Sequence, residues 1–184
     1  LKLTCEVTPT HLFFTKDMVK KYGTLLKVNP PVRTEMDRVA LVEGLKDGTI
    51  DMIATDHAPH TEADKQLGEF KSKSGLISIE TAFSVAMEKI YRENIMTMKD
   101  IIRCLSTNPR ALFGIKSPIA PGERADLVVL DKDAEYIYDH SYSKSKNTPL
   151  FGRKMIGKVL MTIKDGKVLY NDMKEDTRED RFNC

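Results

Sequence analysis

Apolar, β-branched runs alternate with helical segments over the first 55 residues, and this alternation constrains the fold more than any other feature. The spacing predicts helices at 16–22 and 34–46 and strands at 1–7, 25–28 and 50–55. Short strands separated by helices are typical of parallel βα units. We therefore expect an α/β fold with a parallel sheet in this part of the chain.

The middle of the chain is predicted to be a polar segment followed by helices. Residues 61–74 carry many charges and few apolar side chains, which indicates a solvated loop or a mobile active-site flap. Apolar spacing predicts helices at 78–92 and 97–105. Asn108 as a cap and Pro109 at the first helical position predict a further short helix.

The last third is predicted to be a small β module without parallel units. Alternating apolar runs occupy 125–131, 156–163 and 167–170, and the Asp-Gly pair at 165–166 predicts a hairpin turn. We place the boundary near residue 116. The predicted segments are 1–116, 117–172 and a charged tail at 173–184.

Composition excludes several classes of function. The 184 residues carry a formal net charge of +2, which gives no electrostatic case for binding nucleic acid or a membrane surface. Apolar runs are far too short to span a bilayer, and there is no signal-peptide pattern, so we expect a cytoplasmic globular protein. Because the chain opens inside a predicted strand and without Met, we expect it to be a piece of a longer polypeptide. Cys5, Cys104 and Cys184 stand far apart, which argues against a disulfide framework and a zinc finger.

Candidate functional residues stand where the predicted strands end. Parallel α/β folds place their sites in the loops at the carboxyl ends of the strands. The polar groups at such positions are residues 6–11, 29–33 and 56–60. The third group is the strongest candidate, because a carboxylate that emerges from a buried strand needs a hydrogen bond, a charged partner or a metal. The alternatives are that Asp56 caps its own loop beside one packed histidine, and that Asn29 starts a turn.

Longer strings of residues resemble a known family. The most specific is Ile-Ala-Thr-Asp-His-Ala-Pro-His at 53–60. Others are Glu-Val-Thr-Pro-Thr-His-Leu at 6–12, Lys-Val-Asn-Pro-Pro-Val-Arg at 27–33, Ser-Thr-Asn-Pro-Arg-Ala-Leu-Phe-Gly at 106–114 and Thr-Pro-Leu-Phe-Gly at 148–152. In this order and spacing they resemble the C-terminal portion of dihydroorotase, an enzyme of the amidohydrolase superfamily.

The resemblance implies a fold and an activity. Residues 1–116 would form the C-terminal part of a TIM-type (β/α)8 barrel, including strands seven and eight, and 117–172 would form part of a small β-sandwich. The family reaction is the reversible cyclisation of N-carbamoyl-L-aspartate to dihydroorotate in pyrimidine (UMP) biosynthesis, by a metal-hydroxide mechanism at a zinc site that is binuclear in the complete enzyme. Asp56 matches a metal ligand that also acts as general base and then acid, and Asn29 and His60 match substrate contacts.

The chain also departs from the family pattern. The His-x-His pair, the bridging Lys or Asp and the two later His ligands of the family are absent, so Asp56 is the one matched metal ligand. A single carboxylate cannot hold a catalytic zinc, which typically has three protein ligands. We therefore expect these residues to be inactive alone. Because unpaired strand edges promote association, we also expect homo-oligomers or self-association.

Other interpretations stay open at this point. One keeps the cyclic amide chemistry but changes the ring, as in dihydropyrimidinase or allantoinase. Another is a non-catalytic dihydroorotase-like scaffold that pairs with aspartate carbamoyltransferase. A third is a general small-ligand-binding α/β module, which would bind carbamoyl-aspartate without metal.

Overall fold

A short parallel sheet surrounded by helices precedes an antiparallel sheet. The computed structural model describes residues 3–116 and 118–173. The strands are β1 (Glu6–Val7), β2 (Met52–Ile53), β3 (Leu127–Ile137), β4 (Lys154–Lys164) and β5 (Lys167–Asn171). The α-helices are α1 (Pro9–Phe13), α2 (Val19–Tyr22), α3 (Glu35–Asp47), α4 (Glu62–Gln66), α5 (Gly68–Lys71), α6 (Ala82–Ala86), α7 (Met98–Ile102) and α8 (Asn108–Leu112). Short 3-10 turns lie at Lys16–Met18, Gly23–Leu26 and Ile79–Thr81, and π-helical turns at Met87–Tyr91 and Arg103–Thr107.

The two short strands of the first part form a parallel pair. Glu6 lies opposite Met52 and Val7 lies opposite Ile53 in β1 and β2. The parallel arrangement expected from the βα pattern is therefore confirmed. The strands are shorter than predicted, and the first two residues of the opening strand lie outside the described residues. Within the described ranges the strands do not close into a barrel.

The strand predicted at 25–28 is wrong. Residues Gly23–Leu26 form a 3-10 turn, which the Lys27 N–H extends by donating to the Thr24 carbonyl at 3.1 Å. The Lys27 carbonyl accepts a hydrogen bond from the Gly75 N–H at 2.9 Å rather than from a strand. Apolar composition favoured a strand, but Gly23 has a φ of +53° and residues 23–26 close into a 3-10 turn on local hydrogen bonds.

The helix predicted at 34–46 is confirmed as α3. Thr34 caps it with a capping box: its hydroxyl accepts from the Asp37 N–H at 3.2 Å, and the Asp37 carboxylate accepts from the Thr34 N–H at 2.9 Å. Gly48 ends the helix with a φ of +85°. Val42 and Leu45 bury the inner face against the core.

The segment 61–74 is more ordered in its local structure than the predicted loop. It contains α4 and α5, and Thr61 caps α4 by the same reciprocal arrangement with Asp64. The apolar periodicity that predicts a helix is absent from 61–74, because helices this short bury few apolar residues. The flap hypothesis stays a prediction.

The helices predicted at 78–92 and 97–105 are confirmed. The first is built from a 3-10 turn, α6 and a π-helical turn, and the second from α7 followed by another π-helical turn. The helix predicted from 108 is also present as α8. Asn108 does not cap this helix as predicted. Its side-chain amide instead donates to the Asp51 carbonyl, just before β2, at 2.6 Å.

The antiparallel sheet confirms the predicted β module. The strand order is β3-β4-β5, with no parallel pair among the strands described there. Asp165 and Gly166 form the predicted turn, with φ values of +50° and +75°. The charged tail predicted at 173–184 lies, apart from Met173, outside the described residues.

The sheet packs directly on the helices that precede it. The Ser84 hydroxyl of α6 donates to the Gly157 carbonyl of β4 at 2.6 Å, and Arg153 forms an ion pair with Glu88 at 2.7 Å. Met155 of β4 is fully buried in the same apolar cluster as Ile90. One core is therefore shared across the proposed boundary near residue 116.

Two further expectations, on membrane spans and on cysteines, concern the described ranges. No helix there has the length and apolar character that crossing a membrane requires. Cys5 and Cys104 are free thiols, exposed and buried respectively, whereas Cys184 lies outside those ranges.

Candidate functional site

Asp56 lies just beyond β2, at the carboxyl end of the parallel pair. Met52 and Ile53 are buried, whereas Asp56 is exposed and has a left-handed backbone with a φ of 46°. Asp tolerates this conformation better than most residues with a Cβ. Its carboxylate makes no hydrogen bond or ion pair with other described residues, so it does not cap its own loop. The carboxylate is therefore free to contact a ligand.

The His57 ring binds backbone N–H groups. Its Nδ1 accepts hydrogen bonds from the N–H groups of Ser78 and Ile79, at 3.2 and 3.3 Å. Because those donors require a lone pair on Nδ1, the proton of the neutral ring lies on Nε2. His57 therefore holds the start of the helical segment at Ile79. It takes the part of the packed histidine in the alternative in which the 56–60 loop is purely structural.

His60 is held through both its backbone and its ring. The ring Nε2 contacts the Ser74 carbonyl at 2.9 Å, and a carbonyl can only accept, so Nε2 carries a proton. The backbone N–H donates to Oδ1 of Asn147 at 3.1 Å. Nδ1 is left as the ring nitrogen without a partner in the part of the chain that is described. In the neutral ring, that nitrogen accepts a hydrogen bond.

His11 connects the loop after β1 to the loop that carries Asn29. Its Nε2 donates to the Pro30 carbonyl at 2.9 Å, and its Nδ1 accepts from the Thr8 hydroxyl at 2.7 Å. The Asn29–Pro30 peptide bond is cis, and the Asn29 side chain is exposed. Both ring nitrogens of His11 are thus used internally, which assigns it a structural part in positioning the neighbouring loop.

Residues 74 and 75 join the Asn29 and His60 segments. The Gly75 N–H donates to the carbonyl of Lys27, two residues before Asn29, and the Ser74 carbonyl accepts from His60. A Cβ on Gly75 would lie 2.5 Å from that of Ala58, and the residue has a φ of +117°. Only glycine allows the chain to pass this closely.

Asn147, in the connection between β3 and β4, binds the loops at 58–60 and 75. Its amide donates to the Ala58 carbonyl at 3.0 Å and to the Gly75 carbonyl at 3.3 Å, while its Oδ1 accepts from His60. The residue is 4% exposed. A buried amide that satisfies three backbone groups fixes the relative positions of the two loops it bridges.

Two lysines organise the 61–75 segment. The Lys65 ammonium, 2% exposed, donates to the carbonyls of Lys73 at 2.9 Å, Gly75 at 3.0 Å and Lys27 at 3.4 Å. The Lys27 ammonium donates to three other carbonyls, which belong to Glu69, Phe70 and Ser72. Burial, and secondarily the nearby Lys27 charge, lower the pKa of Lys65 to about 8.

The described residues do not make a metal site by themselves. They contain no group of three or more His, Cys, Asp or Glu side chains arranged to hold an ion. His57 uses Nδ1, and His11 uses both nitrogens, in internal hydrogen bonds. Asp56 remains as one exposed carboxylate, which is fewer ligands than a catalytic zinc needs. What the arrangement offers is a free carboxylate, a histidine with one free nitrogen and an exposed amide.

The sequence did not point to Lys65, Gly75 or Asn147 as site residues. Lys65 stands in a charged stretch that resembles a solvated loop, and Asn147 directly precedes the 148–152 string. Gly75, next to apolar Leu76 and Ile77, was the one available local signal, because glycine beside an apolar run often marks a close backbone approach. His140 is exposed, with its ring 5.1 Å from that of Tyr142.

Curated relatives share much of this sequence. The chain is 44% identical to a dihydroorotase of Aquifex aeolicus over 175 residues, which are 94% of this chain and 41% of that relative. It is 45% identical to a dihydroorotase of Caldanaerobacter subterraneus, over 95% of this chain and 41% of that relative. The chain therefore spans about 40% of the length of these relatives.

Solved hydantoinase and dihydropyrimidinase structures share the fold of this chain. L-hydantoinase (dihydropyrimidinase) from Arthrobacter aurescens superposes with a TM-score of 0.82 at 27% identity, over 93% of this chain and 40% of that one. Dihydropyrimidinase from Brevibacillus agri gives 0.84 at 22% identity, over 92% and 39%. The profile of the amidohydrolase family matches residues 5–169. By this match, which covers most of its length, the chain belongs to the amidohydrolase family.

Proposed function

We propose that this chain is part of a dihydroorotase, which interconverts N-carbamoyl-L-aspartate and dihydroorotate in pyrimidine biosynthesis. The observation that carries the proposal is the 44% identity to a dihydroorotase over 94% of the chain. Identity to the hydantoinase and dihydropyrimidinase structures is lower, at 27% and 22%. Asp56 and His60 share the loop after β2, and residues 74 and 75 hydrogen-bond both to His60 and to Lys27, two residues before Asn29, which supports it further.

Asp56 is proposed to move the proton. In the hydrolytic direction, water adds to the ring carbonyl carbon, the carbon–nitrogen bond of the ring amide breaks, and the nitrogen gains a proton. A carboxylate that takes a proton from the water and returns it to the leaving nitrogen balances this step. The exposed Asp56 side chain, with no partner among the described residues, suits that exchange.

Asn29 and His60 are proposed to bind the substrate. Asn29 lies two residues after Lys27, whose carbonyl accepts a hydrogen bond from the Gly75 N–H. The His60 ring is held by its hydrogen bond to the Ser74 carbonyl. The free Nδ1 of His60 is suited to a donor on the substrate when the ring is neutral, or to a carboxylate when the ring is charged. The exposed Asn29 amide supplies both a donor and an acceptor.

The metal is proposed to be zinc, with Asp56 as one ligand and the others from residues that this chain does not supply. When bound, such an ion would polarise the amide and activate the water. We propose accordingly that residues 1–116 are part of a barrel and 117–172 part of a β-sandwich, and that the chain alone is inactive and self-associates through unpaired sheet edges.

The test begins with the coding DNA upstream of Leu1. The complete polypeptide that it encodes is purified with zinc and assayed in both directions with dihydroorotate and N-carbamoyl-L-aspartate. We expect activity, a loss of about a thousandfold in kcat for Asp56→Asn, and a raised KM for Asn29→Ala and His60→Ala. The control is His140→Ala, an exposed histidine whose ring packs on that of Tyr142, and it should behave as wild type.

Other outcomes separate the alternatives. Preference for dihydrouracil or hydantoin over dihydroorotate would replace the proposal with a dihydropyrimidinase, which the TM-score of 0.84 favours as second candidate. An inactive polypeptide that binds aspartate carbamoyltransferase would establish the scaffold interpretation. Sustained hydrolysis of dihydroorotate by residues 1–184 alone with zinc would contradict the inactivity of this chain.

A further inference from the structure

Lys65 is a buried cation whose partners are backbone carbonyls. It projects from α4 and is 2% exposed, although α4 belongs to one of the most charged stretches of the sequence. Its ammonium donates to the carbonyls of Lys73, Gly75 and Lys27. Among the described residues it forms no ion pair with a carboxylate. Burial of a lysine without a charge partner is costly, so the three carbonyls must compensate for lost hydration.

The number of acceptors matches the number of donors. An ammonium has three N–H groups, and Lys65 directs them to three carbonyls on two separate segments. Two of these carbonyls, on Lys73 and Gly75, flank Ser74. The backbone around Ser74 is therefore pinned on both sides by one side chain from α4.

The pinned backbone is the one that holds the His60 ring. The Ser74 carbonyl accepts the Nε2–H of His60 at 2.9 Å, and the next carbonyl, on Gly75, accepts from Lys65 at 3.0 Å. A Cβ on Gly75 would lie 3.3 Å from the same Nε2, so the ring and this peptide are in close contact. Any rotation of the peptide units at 73–75 moves the acceptor on which the orientation and tautomer of the ring depend.

We propose that Lys65 is a positioning residue for His60, acting through the carbonyls of Lys73 and Gly75 to keep the His60 ring protonated on Nε2 and its Nδ1 free. Lys65 does not itself contact the ring. The consequence for substrate rests on the proposed function: loss of Lys65 should raise KM for dihydroorotate and leave kcat nearly unchanged, because His60 is proposed to bind rather than to react.

Lys27 provides a matched comparison. Its ammonium also binds three backbone carbonyls, on Glu69, Phe70 and Ser72, and so stabilises the same segment. None of those carbonyls is adjacent to the His60 ring contact in the way that Gly75 is. A general stabilising effect would make Lys27→Met and Lys65→Met equivalent, whereas positioning makes them different.

The test reads the His60 tautomer directly by long-range ¹H–¹⁵N NMR on the complete polypeptide. In wild type we expect the Nε2–H form. In Lys65→Met we expect a mixture of tautomers and amide exchange at 73–76 that is faster by about tenfold. Lys27→Met should speed exchange at 69–72 and leave the tautomer unchanged, and the exposed Lys71→Met should change neither.

Several results would overturn the proposal. The first is an Nδ1–H tautomer of His60 in wild type. The second is an unchanged His60 ring in Lys65→Met, where protected α3 amides show that the variant is folded. The third is an effect of Lys27→Met on the ring equal to that of Lys65→Met. If Lys65→Met does not fold, Lys65→Arg decides, because the longer planar guanidinium keeps the charge but cannot reproduce three tetrahedral donors. An unchanged His60 ring in that variant contradicts positioning.

The same experiment is independent of the proposed function, because it needs no substrate. If the His60 ring responds to Lys65→Met while the complete polypeptide does not act on dihydroorotate, positioning stands and the proposed function fails. If the ring does not respond while the polypeptide is active, the proposed function stands and positioning fails.

Discussion

The Asn147 side chain accepts a hydrogen bond from the backbone N–H of His60 at 3.1 Å, although 87 residues separate them. The same amide donates to the carbonyls of Ala58 and Gly75. Asn147, which lies in the connection between β3 and β4, thus fixes the loop that follows β2. The connection between β3 and β4 therefore takes part in shaping the candidate site.

Asn147→Ala should destabilise the chain by about 3 kcal/mol, because it leaves three backbone groups without their buried partner. The free energy of unfolding in urea measures this. Asn171→Ala is the control, since Asn171 is exposed and its change should stay within about 0.5 kcal/mol. Equal losses in the two variants would show that the Asn147 contacts contribute nothing particular.

Gly75→Ala should cost about 3 kcal/mol and displace the His60 ring. The new Cβ would meet that of Ala58 at 2.5 Å, in a backbone conformation that L-residues rarely adopt. Gly68→Ala is matched for backbone strain, with a φ of +79° and no atom within 4 Å of the added Cβ, and should cost only about 1 kcal/mol. Thermal and urea denaturation measure both, and a Gly68 variant as destabilised as the Gly75 variant would contradict the steric argument.

Lys65 should titrate near pH 8, because burial and the Lys27 charge lower its pKa from 10.5 to about 8. The folded chain then releases this proton before the unfolded chain does. Between pH 8 and pH 10.5 the contribution of Lys65 to the free energy of unfolding therefore rises with pH, by up to about 3 kcal/mol.

The Cε methylene signals of Lys65 report its titration, and urea unfolding of wild type against Lys65→Met isolates its share of the pH dependence. Lys27→Met should raise the pKa of Lys65, because it removes the neighbouring positive charge. A wild-type pKa at the ordinary value of 10.5 would refute the prediction.

Gly157→Ala should loosen the contact between the helices and the antiparallel sheet. Its Cβ would lie 2.5 Å from Cγ of Met87 and 3.2 Å from the Phe83 ring. Because Cγ of Met87 is the closest atom, Met87→Ala should relieve much of the clash, so the double variant should be more stable than the sum of the two single changes predicts, by about 1 kcal/mol or more. A double-mutant cycle in urea measures the coupling, and strict additivity would count against direct packing.

The sequence by itself determined most of the local structure. The helix at α3 and the hairpin between β4 and β5 were both predicted, because a capping box and an Asp-Gly turn act within a few residues. The short parallel pairing of β1 with β2 also agreed with the βα pattern. Family membership came from strings such as 53–60, which carry specific residues as well as a pattern.

Only the tertiary structure decided which polar residues surround His60. Lys65, in a charged stretch, is buried because carbonyls from two other segments converge on it. His57 and His11, which follow strands as site residues do, are used by the backbone. Such assignments depend on hydrogen bonds between residues far apart in the chain, and no periodicity or local propensity encodes those contacts.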